Sequence, residues 1–141
     1  MSKASVEVEN EVVGNITEGV VVLLGINHKD SLKDTEFIIN KIINLRIFGN
    51  DSNDNFEKSI LEINGQILLI SQFTLYAETK KGRRPSFTES AKSNVAEKIY
   101  NDFVKETKKN NLIIQTGIFG AKMKVSIINE GPVTIMLDSK A

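Results

Sequence analysis

The sequence predicts an α+β fold, and three observations carry that prediction. Apolar residues recur every three or four positions in two stretches only, around residues 37–45 and 87–104, the spacing that lines one face of a helix. The other apolar residues fall in short alternating or unbroken runs bounded by Gly, Asn and Pro, as strands do. A chain of 141 residues, 40% hydrophobic and 26% charged, can close one core and has too little length for a second, so residues 1–141 read as one domain.

Taken in order, Val6 and Val8, then Val12, Val13 and Ile16, flank the polar corner Glu9-Asn10-Glu11 and predict a hairpin. Residues 20–26 are apolar throughout, so they predict a central strand covered on both faces. Ser31 can cap a helix whose apolar face is Phe37, Ile38, Ile42 and Leu45, widened by Ile39 and Ile43. Residues 49–55 predict a surface loop; they lack the ligand spacing and the terminal Glu that a calcium loop requires. Asn64-Gly65 between residues 60–63 and 66–70 predicts a second hairpin, whose last strand runs on through residue 75. Ser86 and Glu89 have capping-box spacing and predict the start of a long helix striped by Phe87, Ala91, Val95, Ile99 and Phe103. Residues 112–114, 123–128 and 133–137 predict three closing strands, so the sheet is expected to be mostly antiparallel.

Composition excludes several chemistries. There is no Cys and a single His, His28, so thiolate nucleophiles, disulfides and multi-histidine metal sites are ruled out, and no metal or cofactor is expected. No Gly-rich phosphate loop and no serine–histidine–acid triad can be assembled. His28, with no identifiable partner, reads as a structural or solvated residue. The N-terminus lacks signal-peptide features and the longest apolar run is too short to cross a bilayer, so a cytoplasmic protein without membrane association is expected. Eighteen basic residues balance eighteen acidic ones, so any nucleic-acid contact must use a local patch. Lys80, Lys81, Arg83 and Arg84 are the one cluster that could form it, or they are a solvated loop.

Two polar segments break apolar strands. Ser71-Gln72-Phe73-Thr74 follows residues 67–70 and could present donors and acceptors at a pocket rim, or simply end a strand. Gly131-Pro132, within Asn129-Glu130-Gly131-Pro132, is a tight turn whose bond could be cis or trans. Neither segment names a function alone. Together with Lys3-Ala4-Ser5-Val6 and Gly14, with Lys81-Gly82-Arg83-Arg84-Pro85-Ser86-Phe87, and with Thr116-Gly117, Phe119-Gly120-Ala121 and Met123, they resemble the motifs of D-aminoacyl-tRNA deacylases over almost the whole chain.

That resemblance implies a barrel-like α+β domain with two main helices outside the sheets, acting as a homodimer with its active site near the interface. It implies hydrolysis of the ester of D-aminoacyl-tRNA, and of glycyl-tRNA mischarged on a non-cognate tRNA. Ser71, Gln72 and Thr74 become the catalytic candidates, with Thr74 in a positioning role. Phe73, Phe119, Gly120, Ala121 and Met123 would receive the 3′-terminal adenosine. Gly131 and Pro132, inserted into the partner's pocket, would occupy the space that an L side chain needs. Lys80, Lys81, Arg83 and Arg84 would meet acceptor-stem phosphates. The alternatives are a tRNA-binding module of the same fold without catalysis, and an editing domain acting on L-aminoacyl-tRNA. Members of the family typically begin with a further strand, carrying a Gln-Arg pair that braces the Gly-Pro turn, ahead of the segment matching Lys3-Ala4-Ser5-Val6. A chain with that strand restored is expected to be more stable.

Overall fold

The computed structural model describes residues 1–50 and 53–140. Its elements run β1 (Lys3–Val8), β2 (Glu11–Ile16), β3 (Gly19–Leu24), α1 (Leu32–Asn44), β4 (Phe48–Asn50), β5 (Asn53–Lys58), β6 (Gln66–Ser71), a 3-10 turn (Phe73–Tyr76), α2 (Ser93–Lys108), β7 (Ile113–Thr116) and β8 (Lys124–Ile128). The α+β class with two helices stands, but the sheets do not close a barrel and are not all antiparallel. β2-β1-β8 form an antiparallel sheet, β3-β6-β7 a parallel one, and β4-β5 a small hairpin.

The first hairpin forms as expected, because Glu9 (φ 51°) and Asn10 (φ 66°) both take the left-handed conformation that a tight two-residue turn requires. The central strand is β6 rather than β3. Ile67, Leu68, Leu69 and Ile70 are at most 2% exposed, and their alternation serves two cores. Ile67 and Leu69 pack with Ile39, Ile42 and Ile43 of α1 and with Tyr100 and Phe103 of α2. Leu68 and Ile70 pack with Ala4, Val6 and Ile16. β3 is the edge of its sheet, and its Leu23 is exposed. The parallel pair begins very close: a Cβ on Gly19 would lie 1.8 Å from the Gln66 carbonyl oxygen, so only glycine fits there.

Five local expectations change in the structure. On α1 the buried face is Thr35, Ile39, Ile42 and Ile43, whereas Phe37 is exposed beneath the Lys41 ammonium. Asn64-Gly65 ends a helical turn rather than a hairpin. Ser59 and Glu62 exchange capping hydrogen bonds, Asn64 is left-handed, and the Gly65 N–H closes back on the Ile60 carbonyl, as at a helix C-terminus. α2 begins at Ser93, seven residues after Ser86. Ser86 is instead paired with Glu78, Glu89 accepts from Asn27, and the Ala91 N–H donates to Ile26, so this stretch spends its hydrogen bonds outside a helix. Residues 133–137 form no strand, and they line a cavity of about 1060 Å³ together with β3 and part of α1. The predicted loop at 49–55 is narrower than expected: Phe48–Asn50 and Asn53–Lys58 pair, and residues 51–52 lie outside the described residues. Among the described residues no helix is long and apolar enough to cross a membrane.

Candidate active site

The polar segment after β6 is built by its neighbours. Ser71 ends the strand opposite Leu24, and the next N–H, of Gln72, donates to the Leu24 carbonyl at 2.8 Å. That bond is the last rung of the β3–β6 ladder, and residues 73–76 then wind into a 3-10 turn. Gly25 lets that turn approach, since a Cβ there would stand 3.0 Å from the Leu75 Cβ. Inside the turn the Gln72 amide donates to the Thr74 hydroxyl at 2.5 Å. As the first two residues of the turn, Phe73 and Thr74 carry N–H groups with no partner within it. Phe73 is 56% exposed, with its ring edge-on to Phe87 at 4.9 Å.

The other candidates divide into those near the core and those in the open. Phe119 leans on Tyr100 at 5.7 Å, and the Tyr100 hydroxyl donates to the buried Leu69 carbonyl. Burial pushes the Tyr100 phenol up to about 12, so it stays a neutral structural donor. Met123 packs on the smaller core and fills the space where a side chain on Gly117 would sit. Gly120 (φ 77°) is open on its Cβ side, and Ala121 closes a turn on Ile118. Gly131 and Pro132, joined by a cis bond, are exposed in the tail. No hydrogen bond among the described residues joins them to Gln72 or Thr74. Ahead of them, Asn129 holds the tail by donating to the Val133 carbonyl and the Thr134 hydroxyl.

The basic residues form the tip of a loop closed by two backbone hydrogen bonds between Glu78 and Ser86, at 2.8 and 3.0 Å. Lys80, Lys81, Arg83 and Arg84 are all exposed, and none forms a salt bridge among the described residues. His28 is half exposed, with its Nε2 3.5 Å from a Glu89 carboxylate oxygen. Among the described residues no three His, Asp or Glu side chains converge as metal ligands.

Two features had no local sequence signal. The Ser90 hydroxyl donates to the Phe73 carbonyl at 3.0 Å, from 17 residues away. At the tail's end Lys140 donates to Asp30 and Asp34, both at 2.9 Å, and Ser139 donates to Asp34 at 2.7 Å. Asp34 also accepts the Ser31 N–H at the start of α1, and that bond, with Lys140 and Ser139, holds its carboxyl well below the usual carboxylate range. A carboxylate depressed in the folded state stabilises above its unfolded pKa and ceases to as pH falls towards the folded value. An Asp34→Asn variant is therefore expected to melt about 2–4 °C below the parent, through the lost cap and tail contacts, at pH 5–9. The gap should narrow below about pH 4, where the carboxyl protonates in the unfolded chain while the folded one still resists protonation. Thermal melts across that range measure it, and a gap that stays constant to pH 2 would contradict the assignment.

The D-Tyr-tRNA(Tyr) deacylase family profile matches residues 1–138. The chain belongs to this family. A Thermosipho africanus protein named D-aminoacyl-tRNA deacylase is 51% identical over 140 residues, which are 99% of this chain and 93% of the relative. A Clostridium acetobutylicum protein of the same name is 50% identical over the same shares. The solved structure of the c-Myc DNA Unwinding Element Binding Protein superposes with a TM-score of 0.93 at 41% identity, covering 99% of this chain and 95% of that one. A probable eukaryotic D-amino acid tRNA deacylase superposes at 0.78 and 18% identity, a likeness of fold alone. As a family member, the chain is a deacylase, and Leu75 and Tyr76 of the turn after β6 line the same cavity as Gly131 of the tail.

Proposed function

We propose that this chain hydrolyses the ester of D-aminoacyl-tRNA, and of glycyl-tRNA mischarged on a non-cognate tRNA, releasing the amino acid and the tRNA. The observation that carries the reading is the exposed 3-10 turn, whose Phe73 and Thr74 N–H groups have no hydrogen-bond partner among the described residues. Family membership and the names of relatives about 50% identical support it.

The chemistry asks little of side chains, because an aminoacyl ester is already activated. Water adds to the carbonyl carbon, and the two N–H groups stabilise the negative charge that develops on the carbonyl oxygen. The C–O bond to the ribose then breaks, and the water's proton leaves with the ribose oxygen. Ser71, Gln72 and Thr74 position these groups; the Gln72–Thr74 hydrogen bond fixes the Thr74 side chain while its N–H stays available. Phe73, exposed and edge-on to Phe87, offers a face on which adenine can stack, with Phe119, Gly120, Ala121 and Met123 forming the other side. Gly131 and Pro132 act in the site of a partner protomer, filling the space where an L side chain would go. Rejection by occupied space spares L-aminoacyl-tRNA and leaves glycine acceptable. Lys80, Lys81, Arg83 and Arg84 hold acceptor-stem phosphates.

A second reading, a nucleic-acid-binding module without turnover, draws support from the structural relative named for binding a DNA element. One assay separates them: amino-acid release from D-tyrosyl-, L-tyrosyl- and glycyl-tRNA by the purified chain, with a chelator present. Loss of the D and glycyl esters with the L ester spared is the expected result. Binding without release would establish the second reading, and release from the L ester would point to an L-specific editing domain.

A further inference from the structure

We propose that Ser90 is a positioning residue for this hydrolysis, holding the Phe73 carbonyl so that the Thr74 N–H is aimed at the developing oxyanion. The inference rests on the deacylase reading of the turn. The link between the two groups is covalent: Phe73 C=O and Thr74 N–H belong to one planar peptide unit and point in opposite directions across it. Whatever fixes the carbonyl therefore fixes the N–H.

Ser90 is placed to do this. Its hydroxyl donates to the Phe73 oxygen at 3.0 Å. Its own backbone is tied down on both sides: its N–H donates to the Phe87 carbonyl at 3.1 Å, it bridges to Asn27, and the next N–H, of Ala91, donates to Ile26 at 2.9 Å. The His28 N–H adds a bond to the Glu89 carbonyl at 3.2 Å. The segment is thus anchored to the chain leaving β3, and the Leu24 carbonyl at the end of β3 accepts the Gln72 N–H that starts the turn. Phe87 of the same segment holds the Phe73 ring. Phe73 is consequently gripped at ring and carbonyl from one anchored stretch, which leaves the Phe73–Thr74 peptide little freedom to rotate. A donor whose direction is fixed before the reaction needs no reorganisation when charge develops, and that is where such groups contribute most.

The test compares the full chain with Ser90→Ala and Ser90→Thr on D-tyrosyl-tRNA. Ser90→Ala is expected to lower kcat about three- to tenfold, the scale of one neutral hydrogen bond, with KM and Tm unchanged, and Ser90→Thr to recover the parent kcat. A kcat for Ser90→Ala within twofold of the parent overturns the proposal, as does a fall matched by a change in KM or Tm. The Thr74 amide resonance supplies a readout independent of turnover. Ser90→Ala should shift it and speed its hydrogen exchange, and an unmoved resonance also overturns the proposal. A parent without turnover would defeat the deacylase reading, while the Thr74 amide would still report whether Ser90 aims that N–H.

Discussion

Replacing Lys80, Lys81, Arg83 and Arg84 together by alanine is expected to weaken tRNA binding about a hundredfold, with the preference between D and L esters unchanged. The four side chains are exposed at the tip of a closed loop and form no salt bridges among the described residues, so their charge is available to phosphate. Each cation set against a phosphate releases counterions and, on the scale of duplex DNA, adds roughly 0.9 to the slope of log affinity against log salt, so four add about 3.6. Over a fourfold rise in salt that slope is worth about two powers of ten. The chain has no net charge, so no global field compensates for the lost patch. Binding titrations at several salt concentrations decide it. Affinity equal to the parent's at every salt would remove the loop from the interface, and a changed D-to-L ratio would mean that the loop also shapes the pocket. The loop joins the reacting centre at both ends, through Ala77, whose N–H donates to the Thr74 carbonyl, and through the segment behind Ser86, where Phe87 and Ser90 contact Phe73.

The fold was legible wherever a pattern is local. The turn at Glu9-Asn10, the Ser31 start of α1 and a strand at residues 66–70 each follow from neighbouring residues, whereas the unbroken apolar run at 20–26 forms an edge strand and not the central one. Where the reading failed, a group had been claimed by a partner other than the one the motif assigned, distant in the first case and near in the second. Ser86 and Glu89 have capping-box spacing, but Glu78 and Asn27 take their hydrogen bonds, so α2 starts later. Asn64-Gly65 has the composition of a hairpin turn, but Ser59 and Glu62 wind the preceding residues into a helical turn that the same two residues terminate. The candidate site shows the same division. Residues 71–74 were visible because polar groups interrupt an apolar run, and Gly131-Pro132 because glycine and proline mark a turn. Ser90 and the Lys140 clamp were not, because side-chain bonds spanning 17 and more than 100 residues leave no periodicity to read.

Placing a strand of the family's type ahead of Met1 is expected to raise Tm by at least about 5 °C, the equivalent of roughly 2 kcal/mol in a domain of this size. Met1 already sets the register. Its amino group donates to the Gly19 carbonyl at 3.1 Å, and the Gly19 N–H donates back to the Met1 carbonyl at 3.2 Å. Two residues that exchange both bonds are an antiparallel pair, so residues preceding Met1 would run along β3 with five of them opposite residues 20–24. Among the described residues that edge of β3 has no strand beside it, and it lines a cavity of about 1060 Å³ together with residues 133–137 and part of α1. One strand would supply partners to both backbones and cover Leu23, Ile135 and Met136, which are 42%, 46% and 80% exposed. It would also stiffen the tail that carries Gly131-Pro132, now fixed at one end by Asn129 and at the other by Ser139 and Lys140. A polar segment of equal length is the control. Equal melting temperatures for the strand-bearing chain and the control would show that the slot does not take a strand, whereas a higher Tm with sharper rejection of L-tyrosyl-tRNA would tie the stability of this edge to the chirality of the site.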